Sequence, residues 1–393
     1  MLPLEGIKIL DLSRLAPGPF ASMMLGDLGA DVLLVEAPAE GKLAAMIGGS
    51  GVDAERMAAY NMLARNKRSI VLNLRDTDAR EIFYKLAEDA DVVLEGFRPG
   101  VVKRLGVDYE TLSKKNPRIV YCSLSGFGQT GPYSQLVGHD INYISVGGAL
   151  GMIGWPDQPP TIPVNIIADF AGGGMHAAYG ILAALMARER TGRGQYVDIA
   201  MSDGVLYLLA SLAGSVLAGG ASPGRGTTML NGSAPFYNVY QCSDGGWISI
   251  GSLEPHFFVN LCKAMECEQY IPHQWDSSKR AEMAAHFKAK FATKTRDEWF
   301  EILKQTDICA GPVYSLEEAL KDPHNLAREM VVEVEHPTLG KIKHLGIGTK
   351  LSDTPGSVRT TAPKAGQHTD EVLSSIGYDG AAIAALKERG VVG

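Results

Sequence analysis

Apolar residues along the first half of the chain fall in short runs, separated by stretches with helical spacing. Ile7 to Leu12 is the first run; the turn Ala16-Pro17-Gly18-Pro19 follows, then a helix with Phe20, Met23, Met24, Leu25 and Leu28 at helical intervals. Val32 to Glu36 returns as a strand, Ser69 to Leu74 comes next, and Thr77 to Ala87 reads as a helix. Asp91 to Glu95 and Ile119 to Leu124 continue the series. Strands this short and this uniformly apolar imply a parallel sheet covered on both faces by helices. The prediction is an α/β, doubly wound, Rossmann-like domain. The G-x-G-x-x-G turn that would bind a dinucleotide's phosphates is missing after the first strand, which argues against an NAD-dependent dehydrogenase.

From about residue 170 the pattern becomes long and helical, broken at Thr191-Gly192-Arg193-Gly194, with a further strand over Gln195 to Ile199. Residues 219–226, GGASPGRG, form the clearest linker. Pro235 to Ile250 reads as a hairpin turning at Asp244-Gly245-Gly246, and a mostly helical segment runs on to about Leu320. The expected organisation is a large domain from 1–218, a small α+β domain from 227–325, and a C-terminal segment, 335–393, with a helix near Asp370 to Ser375.

A length of 393 residues suits two domains rather than one core. The net charge of −7 disfavours nucleic acid or a membrane surface as partner, since both select basic patches. Cys122, Cys242, Cys262, Cys267 and Cys309 lack the spacing of a disulfide framework or a zinc site, so no metal is expected and reduced thiols are the plain reading. No secretory leader and no run of about 18 apolar residues is evident, so a soluble, cytoplasmic protein is expected.

Three places carry candidate chemistry. In the first, the glycine-rich loop Ser125 to Pro132 leads to Gly138-His139-Asp140-Ile141-Asn142-Tyr143 after a strand's carboxyl end, where open α/β sheets bind ligands. His139 and Asp140 there are either a helix cap or an acid/base pair. In the second, Asp169 lies in an apolar run just before Gly172-Gly173-Gly174; a carboxylate so placed is an N-cap or a reacting group, and the glycines suggest close approach to the backbone. In the third, Glu254 precedes Pro255 at the end of the hairpin, where it could simply begin a helix. Two basic groups, Arg65 to Arg68 and Arg98 to Arg104, flank strands and could hold phosphates without a glycine loop.

Taken together, these segments resemble the class III CoA-transferase family (CaiB/BaiF type), which includes the 2-methylacyl-CoA racemases. The likeness runs through Leu15-Ala16-Pro17-Gly18-Pro19, Arg65-Asn66-Lys67-Arg68-Ser69, Gly96-Phe97-Arg98-Pro99-Gly100, Gly138 to Tyr143, Ala168-Asp169-Phe170-Ala171-Gly172-Gly173, Arg190 to Gln195 and Leu253-Glu254-Pro255. It implies that the C-terminal segment returns to the large domain and that two chains interlock as a homodimer. Coenzyme A would be bound as part of an acyl-CoA substrate, with no prosthetic group. Its contacts would come from Arg65, Lys67, Arg98 and Lys103 and from Gly138, Asp140 and Tyr143, with Lys67 and Arg98 matching phosphate positions best. In racemases the aspartate matching Asp169 and the histidine matching His139 exchange the α-proton through an enolate, and Glu254 would orient the imidazole. In transferases the same aspartate attacks the acyl-CoA, with a free carboxylic acid as acceptor.

The racemase-like features are Gly-His-Asp-Ile-Asn-Tyr, the Pro163-Val164-Asn165 lead-in and Glu254-Pro255, and they favour a 2-methylacyl-CoA racemase over a transferase. A non-catalytic acyl-CoA-binding subunit is disfavoured, because binding alone needs no acid/base set. Two departures stand out: Ala37-Pro38 where racemases often carry Arg-Pro, and Asn231-Gly232-Ser233-Ala234-Pro235 in place of Asp-Gly-Gly-Ala-Pro. Met152 and Met175 are candidates to line an acyl channel.

Overall fold

A computed structural model describes residues 1–38 and 53–393. Its chain divides into two compact units, one made of Met1–Gly147, Val164–Leu208 and Pro323–Gly393, the other of Gly148–Pro163 and Leu209–Asp322.

Six strands form the sheet of the first unit: β1 (Lys8–Asp11), β2 (Asp31–Glu36), β3 (Lys67–Val71), β4 (Val92–Glu95), β5 (Val120–Ser125) and β6 (Tyr196–Ala200). All neighbours are parallel and the order is β3-β2-β1-β4-β5-β6. Central strands must be apolar on both faces because helices cover both, and Val92, Val93, Leu94 and Glu95 of β4 are all buried. Leu10, Leu33, Ile70 and Val93 share one core with Phe83 and Ile82 of the helix Thr77–Glu88 and with Val372 and Leu386 of the C-terminal helices. Strand order reverses between β1 and β4, so the loops leaving their carboxyl ends diverge and open a crevice there.

The helix Pro17–Asp27 begins inside the stretch read as a turn, with proline at its first positions, where no amide is needed. Ile166–Thr191 is the one helical run among the described residues long and apolar enough to cross a membrane by length and composition. In this fold one side of it packs against Pro17–Asp27, Asp140–Val146, Met201–Leu208 and strands β5 and β6, while Tyr179 and Met186 stay exposed. Its first part, Ile166–Met175, is π-helical, and the remainder is α-helical.

The second unit holds an antiparallel sheet of β7 (Tyr237–Gln241), β8 (Trp247–Gly251) and β9 (Ala310–Val313). Phe236, Tyr240, Ile248, Phe258, Phe287, Phe291 and Trp299 make its core with the helices Pro255–Ala264, Arg280–Phe291 and Arg296–Leu303. Strand β9 lies inside a stretch expected to be helical; Gly311 and Pro312 defeat a helix there, and backbone pairing to β8 supplies the missing partners. A further hairpin, β10 (Val331–His336) with β11 (Gly340–Leu345), belongs to the first unit, at positions where the sequence reading named no strand.

Candidate active site

Two loops and one helical segment bring the chemistry together in the first unit. After β5 the chain runs through the glycine-rich loop to the helix Asp140–Val146, with His139 as its extended N-cap residue. The His139 amide donates to Asn142 Oδ1 at 3.0 Å, so the backbone is capped by Asn142 while the exposed imidazole is left to the cavity. Tyr143 donates its hydroxyl to the Gly138 carbonyl at 2.5 Å. A Cβ on Gly138 would lie 2.9 Å from the Tyr143 ring, so glycine is what allows this close packing.

Asp169 sits in the π-helical turn, where a widened helix commonly marks a functional position. Asn165, four residues earlier, donates Nδ2 to Asp169 Oδ2 at 3.0 Å. Burial pushes the Asp169 carboxyl above the ordinary aspartate range, and the nearby Asp140 charge adds to this; the Asn165 hydrogen bond and His139 oppose it. The three glycines that follow are packed by protein. A Cβ on Gly174 would meet the Pro17 carbonyl oxygen at 2.8 Å and Phe20 at 2.9 Å, and one on Gly172 would meet the Met201 carbonyl oxygen at 3.0 Å. The close approach that the glycines suggest is thus made by the neighbouring helices Pro17–Asp27 and Met201–Leu208.

His139 and Asp169 line one cavity of about 800 Å³, together with Arg98, Arg14, Tyr143 and Met201. A second cavity of about 420 Å³ lies over the carboxyl ends of β1, β2 and β3, and Arg14 and Phe97 line both. The Arg14 guanidinium stands 4.9 Å from the centre of the Phe97 ring. Ala37 and Pro38 line the second cavity, so the departure from Arg-Pro falls on a ligand-sized space.

The residues expected to contact coenzyme A fall in different surroundings. Arg65 is 2% exposed, and its guanidinium is held by Asp27, with Nε to Oδ1 at 3.0 Å and Nη2 to Oδ2 at 2.6 Å. Lys67 is 4% exposed and donates to Ser22 Oγ at 2.6 Å and the Pro19 carbonyl at 3.0 Å, with Asp11 Oδ2 at 3.5 Å. Both charges are paired inside the fold, as a buried cation must be, and neither residue lines the cavity that holds His139 and Asp169. Asp140 is 4% exposed and turns to protein rather than solvent: its Oδ2 accepts the amides of Ala168 at 2.7 Å and Asp169 at 2.8 Å. Those two amides are therefore unavailable to stabilise an oxyanion. Arg98 is exposed on the cavity wall, and Lys103 is exposed on the short helix Val101–Leu105; neither forms an ion pair among the described residues.

Glu254 belongs to the second unit, where it is the exposed N-cap residue of Pro255–Ala264 with Pro255 at the first helical position. Asn231 donates Nδ2 to the carbonyls of Met152 at 3.1 Å and Gly224 at 2.7 Å, while its Oδ1 accepts the Thr228 amide at 2.8 Å. An aspartate here would face two carbonyl oxygens with no proton to offer, so the asparagine is explained by its own loop. Met152 lies in the second unit and Met175 in the first; the methionine on the active-site cavity wall is Met201.

Glu95 was not singled out by the sequence. It is 1% exposed at the end of β4, accepts the Phe97 amide at 2.7 Å and the Ser123 hydroxyl, and burial pushes its carboxyl up to about 7. It holds the loop that carries Phe97 and Arg98. Between pH 4.5 and about 7 the folded chain keeps a proton that the unfolded chain releases, so stability falls as pH rises through that window. The fall amounts to about 3 kcal/mol. Glu95→Gln should flatten this slope in urea unfolding followed from pH 4 to 8.

With this geometry established, comparison with known proteins is decisive at the family level. The family model described as CoA-transferase family III matches residues 4–369. The chain belongs to this family. Family III comprises enzymes that act on acyl-CoA thioesters, as racemases or as CoA-transferases. An alpha-methylacyl-CoA racemase of Mus musculus is 38% identical over 376 residues, covering 95% of this chain and 93% of the relative. A succinyl-CoA–D-citramalate CoA-transferase of Chloroflexus aurantiacus is 35% identical over 381 residues, covering 95% and 94%. Among solved structures, a CaiB/BaiF family protein from Brucella suis superposes with a TM-score of 0.83 at 30% identity, covering 95% of this chain and 99% of that one.

Proposed function

We propose that this family III enzyme is a 2-methylacyl-CoA racemase. The observation that carries the proposal is the shared cavity: an imidazole and a half-buried carboxylate enter one space whose wall also includes Leu15, Leu136, Val137 and Met201. Apolar side chains next to an acid/base pair suit a branched hydrocarbon rather than a second carboxylate. In this reading Asp169 or His139 takes the α-proton, the electron pair moves onto the thioester oxygen as an enolate, and the other group returns a proton to carbon. Each group is then left in the protonation state that the reverse direction requires. A carboxyl raised by burial lies nearer in proton affinity to imidazole, which favours exchange in both directions. With the Ala168 and Asp169 amides occupied, the enolate oxygen is assigned to the amide of Asp140, which has no acceptor among the described residues.

Coenzyme A is placed across the switch point of a Rossmann-like sheet, from the active-site cavity into the space lined by Leu12, Val35 and Asn73, with Arg98 and Lys103 toward its phosphates. Arg98→Ala should weaken binding of CoA esters about tenfold, read by calorimetry, and an unchanged affinity would remove Arg98 from this role. Glu254 is assigned by resemblance to orient the imidazole. The chain is proposed to act as an interlocked homodimer; large apolar side chains left exposed on the first unit, Tyr179, Met186, Leu206 and Tyr207, are the surface that supports this. Sedimentation should give twice the 42.0 kDa chain mass. No prosthetic group is assigned a step, and the cytoplasm is the proposed location.

The alternative is CoA transfer, in which Asp169 attacks the thioester carbonyl, a mixed anhydride forms and CoA leaves as thiolate. A single epimer of a 2-methylacyl-CoA, incubated in deuterated water with and without a free carboxylic acid, separates the two. The racemase reading expects epimerisation with deuterium at the α-carbon and no need for the acid. Retained configuration with CoA moved to the acid would replace it by the transferase.

A further inference from the structure

Asp140 has a backbone role in the proposal above, but its buried carboxylate has none. The two oxygens of that carboxylate are used unequally. Oδ2 accepts both the Ala168 and the Asp169 amides, while Oδ1 is buried with no hydrogen-bond partner among the described residues. One carbonyl-type oxygen would therefore suffice for the grip, and the negative charge is surplus to it. The position in the chain adds to this: Asp140 directly follows His139, so one dipeptide carries the imidazole to the cavity and grips the backbone under the carboxylate.

That backbone needs a third support. The π-helical segment Ile166–Met175 is packed through its glycines against Pro17–Asp27 on one side and Met201–Leu208 on another. Asp140 comes from the helix Asp140–Val146, which packs on the same segment. We propose that Asp140 is a positioning residue, whose carboxylate fixes the backbone of Ala168 and Asp169 and places a like charge beside the Asp169 carboxyl. This rests on the reading of Asp169 as the reacting group.

The charges that act on Asp169 are few. Asp140 disfavours its ionised form and His139 favours it; Asn165 donates a hydrogen bond, and no titratable group of Pro17–Asp27 or Met201–Leu208 contributes. Tyr143 lies close by, with Arg98 acting on its phenol. Removing the Asp140 charge should therefore lower the Asp169 pKa, and removing the whole side chain should also loosen the Asp169 backbone.

Two variants of the full chain separate these effects. Asp140→Asn can keep both amide bonds through its Oδ1 while losing the charge; Asp140→Ala loses both. In carbon-13 NMR of aspartate-labelled protein, with Asp169→Asn assigning the signal, Asp140→Asn should lower the Asp169 pKa. The acid limb of kcat/KM should move in the same direction. Asp140→Ala should speed hydrogen exchange at the Ala168 and Asp169 amides at least about tenfold and lower kcat about 10- to 100-fold, with KM little changed. Asp140→Asn should recover most of that loss at high pH. An unmoved Asp169 titration in Asp140→Asn overturns the charge role, and amide exchange unchanged in Asp140→Ala overturns the grip. Should Asp140→Ala not fold, Asp140→Asn still carries the titration. Should Asp169→Asn keep its turnover, the proposed function fails, while the titration and exchange results still decide the role of Asp140.

Discussion

Asp169→Asn is expected to lower turnover about 10³-fold while leaving CoA-ester binding largely intact. The amide has nearly the carboxylate's shape and can still take the Asn165 hydrogen bond on its oxygen, so the cavity should keep its form. What it loses is the ability to take or hold a proton, and equally the nucleophilicity that a transferase would need. Both readings of family III therefore predict the same loss, and only the α-deuterium assay distinguishes them. The wild-type profile should also show an acid limb above the ordinary aspartate range, because burial and Asp140 both favour the protonated form. An unaffected rate in Asp169→Asn would remove this residue from the chemistry altogether. Calorimetry with a CoA ester, run beside the rate measurement, separates lost chemistry from lost binding.

A large stability effect is expected at a glycine with no chemistry of its own. A methyl group on Gly204 would overlap the carbonyl of Gly172, so Gly204→Ala must push the helix Met201–Leu208 away from the π-helical segment. Backbone is what it meets, and no rotamer change can relieve the overlap. The cost should be about 3 kcal/mol, at the upper end for overpacking, read as a lower midpoint in urea unfolding. Asp169 rides on the displaced segment, so the folded fraction should also show reduced kcat. A variant as stable as the parent would mean that the two helices separate more readily than their packing implies.

The two predictions draw on different levels of the molecule, and legibility divides along the same line. The parallel sheet was readable because a strand buried on both faces must be apolar at every position, as Val92, Val93 and Leu94 are. The hairpin of β7 and β8 was readable from its Asp-Gly-Gly turn. Strand β9 and the β10–β11 hairpin were not. Strand β9 is short and carries Gly311 and Pro312; β10 and β11 do alternate, at Glu333-Val334-Glu335 and Lys341-Ile342-Lys343, but periodicity alone does not name the strand each pairs with.

At the site, residue types alone marked His139 and Asp169 as candidates, because a histidine beside a glycine loop and an acid in an apolar run both call for a reason. Glu254 was legible as a helix start, and that is what its own unit shows. Asn165 lay four residues before Asp169 and could have been found from helical spacing. Glu95 could not, since an acid ending a strand looks like any other until its burial is known.

The sequence by itself determined the family, the strand pattern and which side chains have the right chemistry, because these depend on residue type and local order. Only the tertiary structure decided which charges are free to act. Arg65, Lys67 and Arg98 look alike in a sequence, yet the first two are neutralised by Asp27 and Asp11 inside the core, while the third stands on the cavity wall. The same holds for Asp140 and Asp169: one spends its oxygen on backbone amides, and the other faces the cavity. The reason is electrostatic: a charge's role depends on what surrounds it in space, and desolvation and pairing bring together groups far apart in the chain.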